Sequence, residues 1–69
     1  MPFQVIEQGN LENSDVYLFF KDSNEPSHTY LVTSISGEIT LTGFDETGHV
    51  DCDLEEEHIE LLESHFDGL

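Results

Sequence analysis

The sequence predicts an α+β fold, an antiparallel β-meander of four to five strands with one C-terminal helix packed on one face. Three observations predict it. Short segments rich in β-branched and aromatic residues recur between turn-forming clusters as far as Val50. The gaps between these segments are short, and sequential strands with short connections pair antiparallel. Beyond Leu54 the apolar spacing changes from the strand period of two to about 3.6 residues, the period of a helix.

The first segment, Phe3 to Glu7, is apolar enough for an edge strand. Gly9 to Asp15 then reads as a loop of turn formers. Val16-Tyr17-Leu18-Phe19-Phe20 is apolar in both alternating sets, which predicts a central strand with both faces at least partly covered. Asp22 to Ser27 is the next loop, and Pro26 discourages a hydrogen-bonded ladder through it. Thr29 to Ile35 is a strand, and Ser36-Gly37 is a two-residue hairpin turn in which Gly37 supplies positive φ. Glu38 to Phe44 alternates, with Ile39 and Leu41 on one side and Thr40 and Thr42 on the other, as a half-buried strand does. Asp45-Glu46-Thr47-Gly48 is a hairpin loop. Val50, Cys52 and Leu54 then face one way, and His49, Asp51 and Asp53 the other.

In the helix, Asp53 is the expected N-cap, with Glu56 at capping-box spacing and Gly68 as the stop signal. Glu55, Glu56 and Glu57 occupy the first turn, where the positive end of the macrodipole favours carboxylates. Leu54, Ile59, Leu61, Leu62 and Phe66 share one apolar arc with His58 and His65, while Glu56, Glu60, Glu63 and Asp67 lie opposite.

Residues 1–69 are expected to form a single acidic domain. Leu, Ile, Val and Phe supply 21 of the 69 residues. That share exceeds the roughly 20 % below which highly charged chains fail to fold. A lone cysteine, Cys52, excludes an internal disulfide and fits a reducing compartment, so a cytoplasmic location is expected. The segment Met1 to Glu7 has neither the basic region of a signal peptide nor the length of a transmembrane helix.

Charge dominates the composition. Sixteen Asp and Glu stand against one basic residue, Lys21, for a formal net charge of −15. Self-repulsion on this scale opposes compaction, so the acids serve solubility, an unusual solvent or a partner. Direct binding to nucleic acid or to an anionic membrane is excluded, since both need Lys and Arg against phosphates. A solvated helix face normally mixes charge signs, and this one does not.

The helix carboxylates alone are sparser than the phosphates of a DNA strand, which recur about every 3.4 Å. Asp45, Glu46, Asp51 and Asp53 lead directly into the helix and would fill out such an array. The run Asp45, Glu46, Asp51, Asp53, Glu55, Glu56, Glu57, Glu60, Glu63 and Asp67 resembles, in composition, that of small acidic DNA-mimic inhibitors of phages and mobile elements. These act on restriction enzymes, CRISPR effectors or other nucleic-acid-binding proteins. The likeness covers the C-terminal third of the chain and rests on no motif. It implies a basic, nucleic-acid-binding protein or complex as partner. The candidate partner-binding residues are Asp45, Glu46, Asp51, Asp53, Glu56, Glu57, Glu60, Glu63 and Asp67.

Two other readings remain. One is an immunity- or antitoxin-like inhibitor of a basic nuclease or toxin, held by shape and aromatic anchors. The other is a small domain whose acidity is a salt adaptation. No cofactor, metal site or catalytic constellation is expected. His49, Cys52, His58 and His65 lack zinc-site spacing. The stretch Asp45 to Glu56 has Val50 where a calcium loop needs Gly, with Thr47 and His49 at ligand positions. Asp51 and Asp53 beside Cys52 disfavour a thiolate, which leaves an inert thiol. Tyr17, Phe19, Phe20, Tyr30 and Phe44 are core by default. An exposed row among them would instead mark a homodimer or partner interface.

Overall fold

A computed structural model describes residues 3–66 of the chain. Strands β1 (Phe3–Asn10), β2 (Val16–Asp22), β3 (Glu25–Ile35), β4 (Glu38–Asp45) and β5 (Gly48–Val50) precede one helix, α1 (Glu56–His65). A three-residue 3-10 turn, Glu12–Ser14, joins β1 to β2. The strands lie in one sheet in chain order, and every neighbouring pair is antiparallel. The expected meander and its single C-terminal helix are therefore both present.

The core lies on the face of the sheet that carries Val16, Leu18 and Phe20 of β2 and Val32 of β3, beneath Leu61 and Leu62 of α1. Leu18, Phe20, Val32 and Leu62 are wholly buried. Each such side chain stabilises the fold by about 1.5–3 kcal/mol relative to its exposed state. Phe3, Val5, Tyr30, Ile39, Leu41 and Phe66 complete the layer from its margins. Phe20 is the centre of an aromatic cluster: Phe3 meets it edge-on at 5.0 Å, Tyr30 stacks at 5.4 Å and His58 tilts against it at 5.7 Å.

Two tight turns set the register of β3 with β4 and of β4 with β5. Ser36 (φ 53°) and Gly37 (φ 83°) both occupy the left-handed region, as a two-residue hairpin of this kind requires. At the other, Asp45 Oδ1 accepts from the Thr47 N–H and from Thr47 Oγ1, both at 2.7 Å. The Asp15 carboxylate accepts the Ser36 N–H at 2.9 Å, so the chain before β2 is tied to the β3–β4 turn.

Several expectations are corrected. The strands run further than expected: β1 continues through Asn10, and β3 begins at Glu25 and takes in Pro26. The ladder tolerates Pro26 because the β2–β3 register shifts between Phe20 and Asp22, so no partner strand requires a Pro26 N–H. The stretch after the last hairpin is a strand only from Gly48 to Val50, and Asp51 to Leu54 are irregular.

The helix N-cap is Glu55 rather than Asp53. Glu55 has extended backbone, and its carbonyl receives the N–H groups of His58 (3.0 Å) and Ile59 (3.3 Å). The Glu55 N–H in turn donates to His58 Nδ1 at 3.0 Å. His58 thus plays the part that Glu or Gln plays in a capping box. Its ring is buried beside Phe3 and Phe20, so the helix starts where the core holds that ring and not where the acidic spacing suggested.

Leu54 consequently precedes the helix and is 37 % exposed, outside the apolar arc. His65 is exposed rather than packed. Its Nδ1 lies 3.0 Å from the Leu61 carbonyl and 3.1 Å from Ser64 Oγ, at the end of the helix. Asp67 and Gly68 lie outside the described residues.

Candidate partner-binding surface

Among the described residues the helix covers one face of the sheet and no element covers the other, and ten of the sixteen acids fall from Asp45 onward in the chain. Glu46 sits in the β4–β5 turn, Asp51 and Asp53 in the irregular link, and Glu56, Glu57, Glu60 and Glu63 on α1; all are exposed. Glu56, Glu60 and Glu63 lie at helical spacing, turned away from the buried His58, Leu61 and Leu62. None of these seven carboxylates makes a side-chain hydrogen bond or ion pair with another described residue.

Asp45 differs from the rest. It is half-buried, and its bonds to Thr47 hold its carboxyl below the ordinary carboxylate range, the side-chain hydroxyl contributing most. It shapes the turn that carries Glu46. The ninth candidate, Asp67, lies outside the described residues.

Among the described residues no Lys side chain forms an ion pair with these carboxylates. Lys21, near the end of β2, reaches the Pro26 carbonyl with its ammonium at 3.5 Å; the β2–β3 turn beside it lies at the same end of the sheet as the β4–β5 turn, where Ser27, Asp45, Glu46 and Thr47 line one hollow. The one ion-pair geometry among the described residues joins His28 Nδ1 to Glu25 at 3.8 Å, and it forms only with a protonated ring. The seven carboxylates are therefore exposed to solvent with no ion-pair partner among the described residues, and their charges add to the negative field of the molecule.

The uncovered face is the feature that sequence reasoning left open. Core-facing Val16, Leu18 and Phe20 alternate with Tyr17 and Phe19, which point the other way and are half-buried. The register places Leu31 beside Phe19, and Thr33 beside Tyr17. Thr40, Thr42 and Phe44 of β4 share this side, with Thr33 Oγ1 and Thr40 Oγ1 paired at 2.7 Å. Phe44 meets His49 of β5 edge-on at 5.0 Å. Tyr17 packs edge-on against Phe19 at 5.8 Å. Its ring also lies over Gly9, where an added Cβ would come within 2.7 Å of ring atoms. Its hydroxyl donates to Glu7 at 3.3 Å.

No family model matches the chain, and no curated protein and no solved structure is similar to it. The functional reading rests on these surfaces alone.

Other chemistry finds little support in the geometry. Among the described residues, no three His, Cys, Asp or Glu side chains converge as a metal site would require. Cys52 is half-buried, and its thiol is raised above the ordinary range by burial first and by the charges of Asp53 and Asp51 second, in keeping with an inert thiol. No helix of the described residues is long and apolar enough to cross a membrane.

The two tyrosines provide a direct probe of both faces. The charge of Glu7 raises the Tyr17 phenol above its ordinary value of 10.0, with burial and the Glu7 hydrogen bond adding to the shift. Tyr30, on the core side, is raised chiefly by burial and then by the charges of Glu25 and Asp22. A raised phenol favours the neutral form in the fold. Its contribution to stability is complete below the unfolded value and is lost as pH rises through the folded one. The chain has two tyrosines and no tryptophan, so ultraviolet phenolate absorbance reports them alone. Both should titrate above pH 10 in the folded protein, with stability falling as they do. Glu7→Gln should lower one of the two midpoints and leave the other in place. An unchanged pair would break the assignment of Tyr17 to Glu7.

Proposed function

We propose that this protein is an acidic inhibitor that binds the basic nucleic-acid-binding surface of a partner protein and blocks access of nucleic acid to it. One observation carries the reading. The carboxylates of Glu46, Asp51, Asp53, Glu56, Glu57, Glu60 and Glu63 are exposed and unpaired among the described residues, and no contact in the fold uses them. Self-repulsion from so many like charges opposes folding, so their concentration on one hairpin and helix is accounted for by something outside the chain.

A surface studded with Lys and Arg gains affinity for DNA by releasing counterions, and a fixed array of carboxylates competes for the same cations. Association should be fast and should weaken steeply with salt, because the pairs form at exposed positions. The chain itself does not bind nucleic acid under this reading, and no step of chemistry is required of it.

The test compares the protein with a variant carrying Glu56→Gln, Glu57→Gln, Glu60→Gln and Glu63→Gln. Both are tagged and used to capture proteins from a lysate of the source cell. The expected result is a nucleic-acid-binding protein that the unmodified chain retains, that added duplex DNA releases, and that the variant holds at least about tenfold more weakly. Retention that neither salt, DNA nor the four substitutions alters would overturn the reading.

A further inference from the structure

We infer that the uncovered face of the sheet is the anchoring surface for this partner, and that it takes arginine side chains on the rings of Tyr17, Phe19 and Phe44. The inference rests on the proposed binding of a basic protein and goes beyond it. It adds to the contacts of the helix and turn acids a second contact on the other face of the sheet.

The solvent face of an antiparallel sheet is ordinarily polar, with the apolar set turned inward. Here β2 breaks that pattern. Tyr17 and Phe19 stand outward as a T-shaped pair, Leu31 lies beside Phe19, and Phe44 closes the row on β4. Ile35, at the end of the same β3 set, is 46 % exposed. The pairings that fill this face are local: Tyr17 covers Gly9, and Thr33 bonds Thr40. The helix is on the other side, with Leu61 and Leu62 over Leu18 and Phe20. Nothing in the described residues covers the outward row.

Its layout is that of an interface, with an aromatic and aliphatic centre, threonines between, and carboxylates at the edge. Glu7 borders Tyr17 and accepts a hydrogen bond from its hydroxyl, and Glu38 borders Ile35 across the β3–β4 turn. Charge selects the occupant. A second copy would bring a net charge of −15 against −15. A basic partner meets no such repulsion. Among cations, arginine suits this face best. Its planar guanidinium is weakly hydrated, stacks on aromatic rings and pairs with a neighbouring carboxylate, whereas the lysine ammonium keeps its water.

The test titrates isotope-labelled full-length protein with nona-arginine and, separately, nona-lysine at physiological salt, and follows amide and aromatic-ring resonances. Nona-arginine should shift Tyr17, Phe19, Leu31 and Phe44, and nona-lysine should act mainly on the helix and turn carboxylates. Replacing two anchors, Phe19→Thr with Phe44→Thr, should cost about tenfold in affinity for nona-arginine, the equivalent of two exposed cation–aromatic contacts. Should that variant not fold, the resonance map of the unmodified protein decides alone.

If both peptides move only the helix and turn carboxylates, the anchoring face is wrong and the binding of a basic partner stands. If neither peptide moves any resonance, the basic-partner reading falls and takes the anchoring face with it. Movement of the face resonances with protein concentration alone assigns the row to a second copy and overturns the inference.

Discussion

Phe20→Ala is expected to leave the chain largely unfolded at room temperature. Phe20 has no exposed surface and touches three aromatic rings, those of Phe3, Tyr30 and His58, which themselves come from β1, β3 and α1. Truncating a buried phenylalanine to alanine costs about 3–5 kcal/mol through lost transfer energy and the cavity left behind. Native domains are stable by roughly 0.05–0.15 kcal/mol per residue, so a chain of 69 residues has about 3–10 kcal/mol in total. Self-repulsion at a net charge of −15 puts this chain at the low end of that range, where the loss equals the whole margin. The effect should exceed that of truncating any outward aromatic, since Phe19 is only half-buried. Urea unfolding followed by circular dichroism would measure it. Phe20→Leu, which keeps most of the volume, should stay folded with a lowered midpoint. Near-native stability of Phe20→Ala would show that the helix and sheet are held together elsewhere.

Raising sodium chloride from about 10 mM to 1 M is expected to stabilise the unmodified protein by about 2–4 kcal/mol, because the Debye length falls from roughly 30 Å to 3 Å. The Cα radius of gyration is 11.6 Å, so at low salt the carboxylates interact across the whole molecule. At high salt each one interacts only with its near neighbours. For a domain of this size the change corresponds to roughly 14–28 °C in Tm. Calorimetry across a salt series would read it. The Gln variant of the four helix carboxylates should start from a higher Tm at low salt and respond less. A Tm independent of salt would show that the carboxylates are already neutralised within the fold, against their exposure. A chain that folds only in molar salt would support the salt-adaptation reading of the composition over an inhibitor.

The architecture was legible because turn chemistry and period are local properties. Ser36-Gly37 and Asp45 to Gly48 carry the residues that their backbone geometry demands, so strand order and antiparallel pairing followed from adjacent sequence. The helix start was not legible. It depends on a buried imidazole fixed by Phe3, a residue from the opposite end of the chain, and spacing within the acidic run favoured a false cap at Asp53. Leu54 was misplaced for the same reason, since it precedes the N-cap Glu55 of a helix that begins at Glu56.

At the candidate surface, exposure of the acids was foreseeable from their type. The uncovered side of Val16 to Phe20 was not. Both alternating sets of that strand are apolar, and nothing in one strand says which set a distant helix will cover. Glu7 and Leu31 carry no signal of their own. They belong to the outward row only through a register set by neighbouring strands.

The meander has a kinetic consequence. Every strand pairs with its immediate neighbour in the chain, and the β2–β3, β3–β4 and β4–β5 connections each comprise two residues. Loop closure is cheap at such lengths, and isolated hairpins form within about 1–10 μs. The sheet should therefore assemble by local zipping, well before the ends of the chain meet. The step that joins distant residues is the seating of His58 against Phe3, which closes the first strand onto the helix. On a ribosome the helix emerges after the sheet, so the sheet would wait with Leu18, Phe20 and Val32 open to solvent until that closure. During this interval the crowd of negative charge on the emerging segment would hold nascent chains apart.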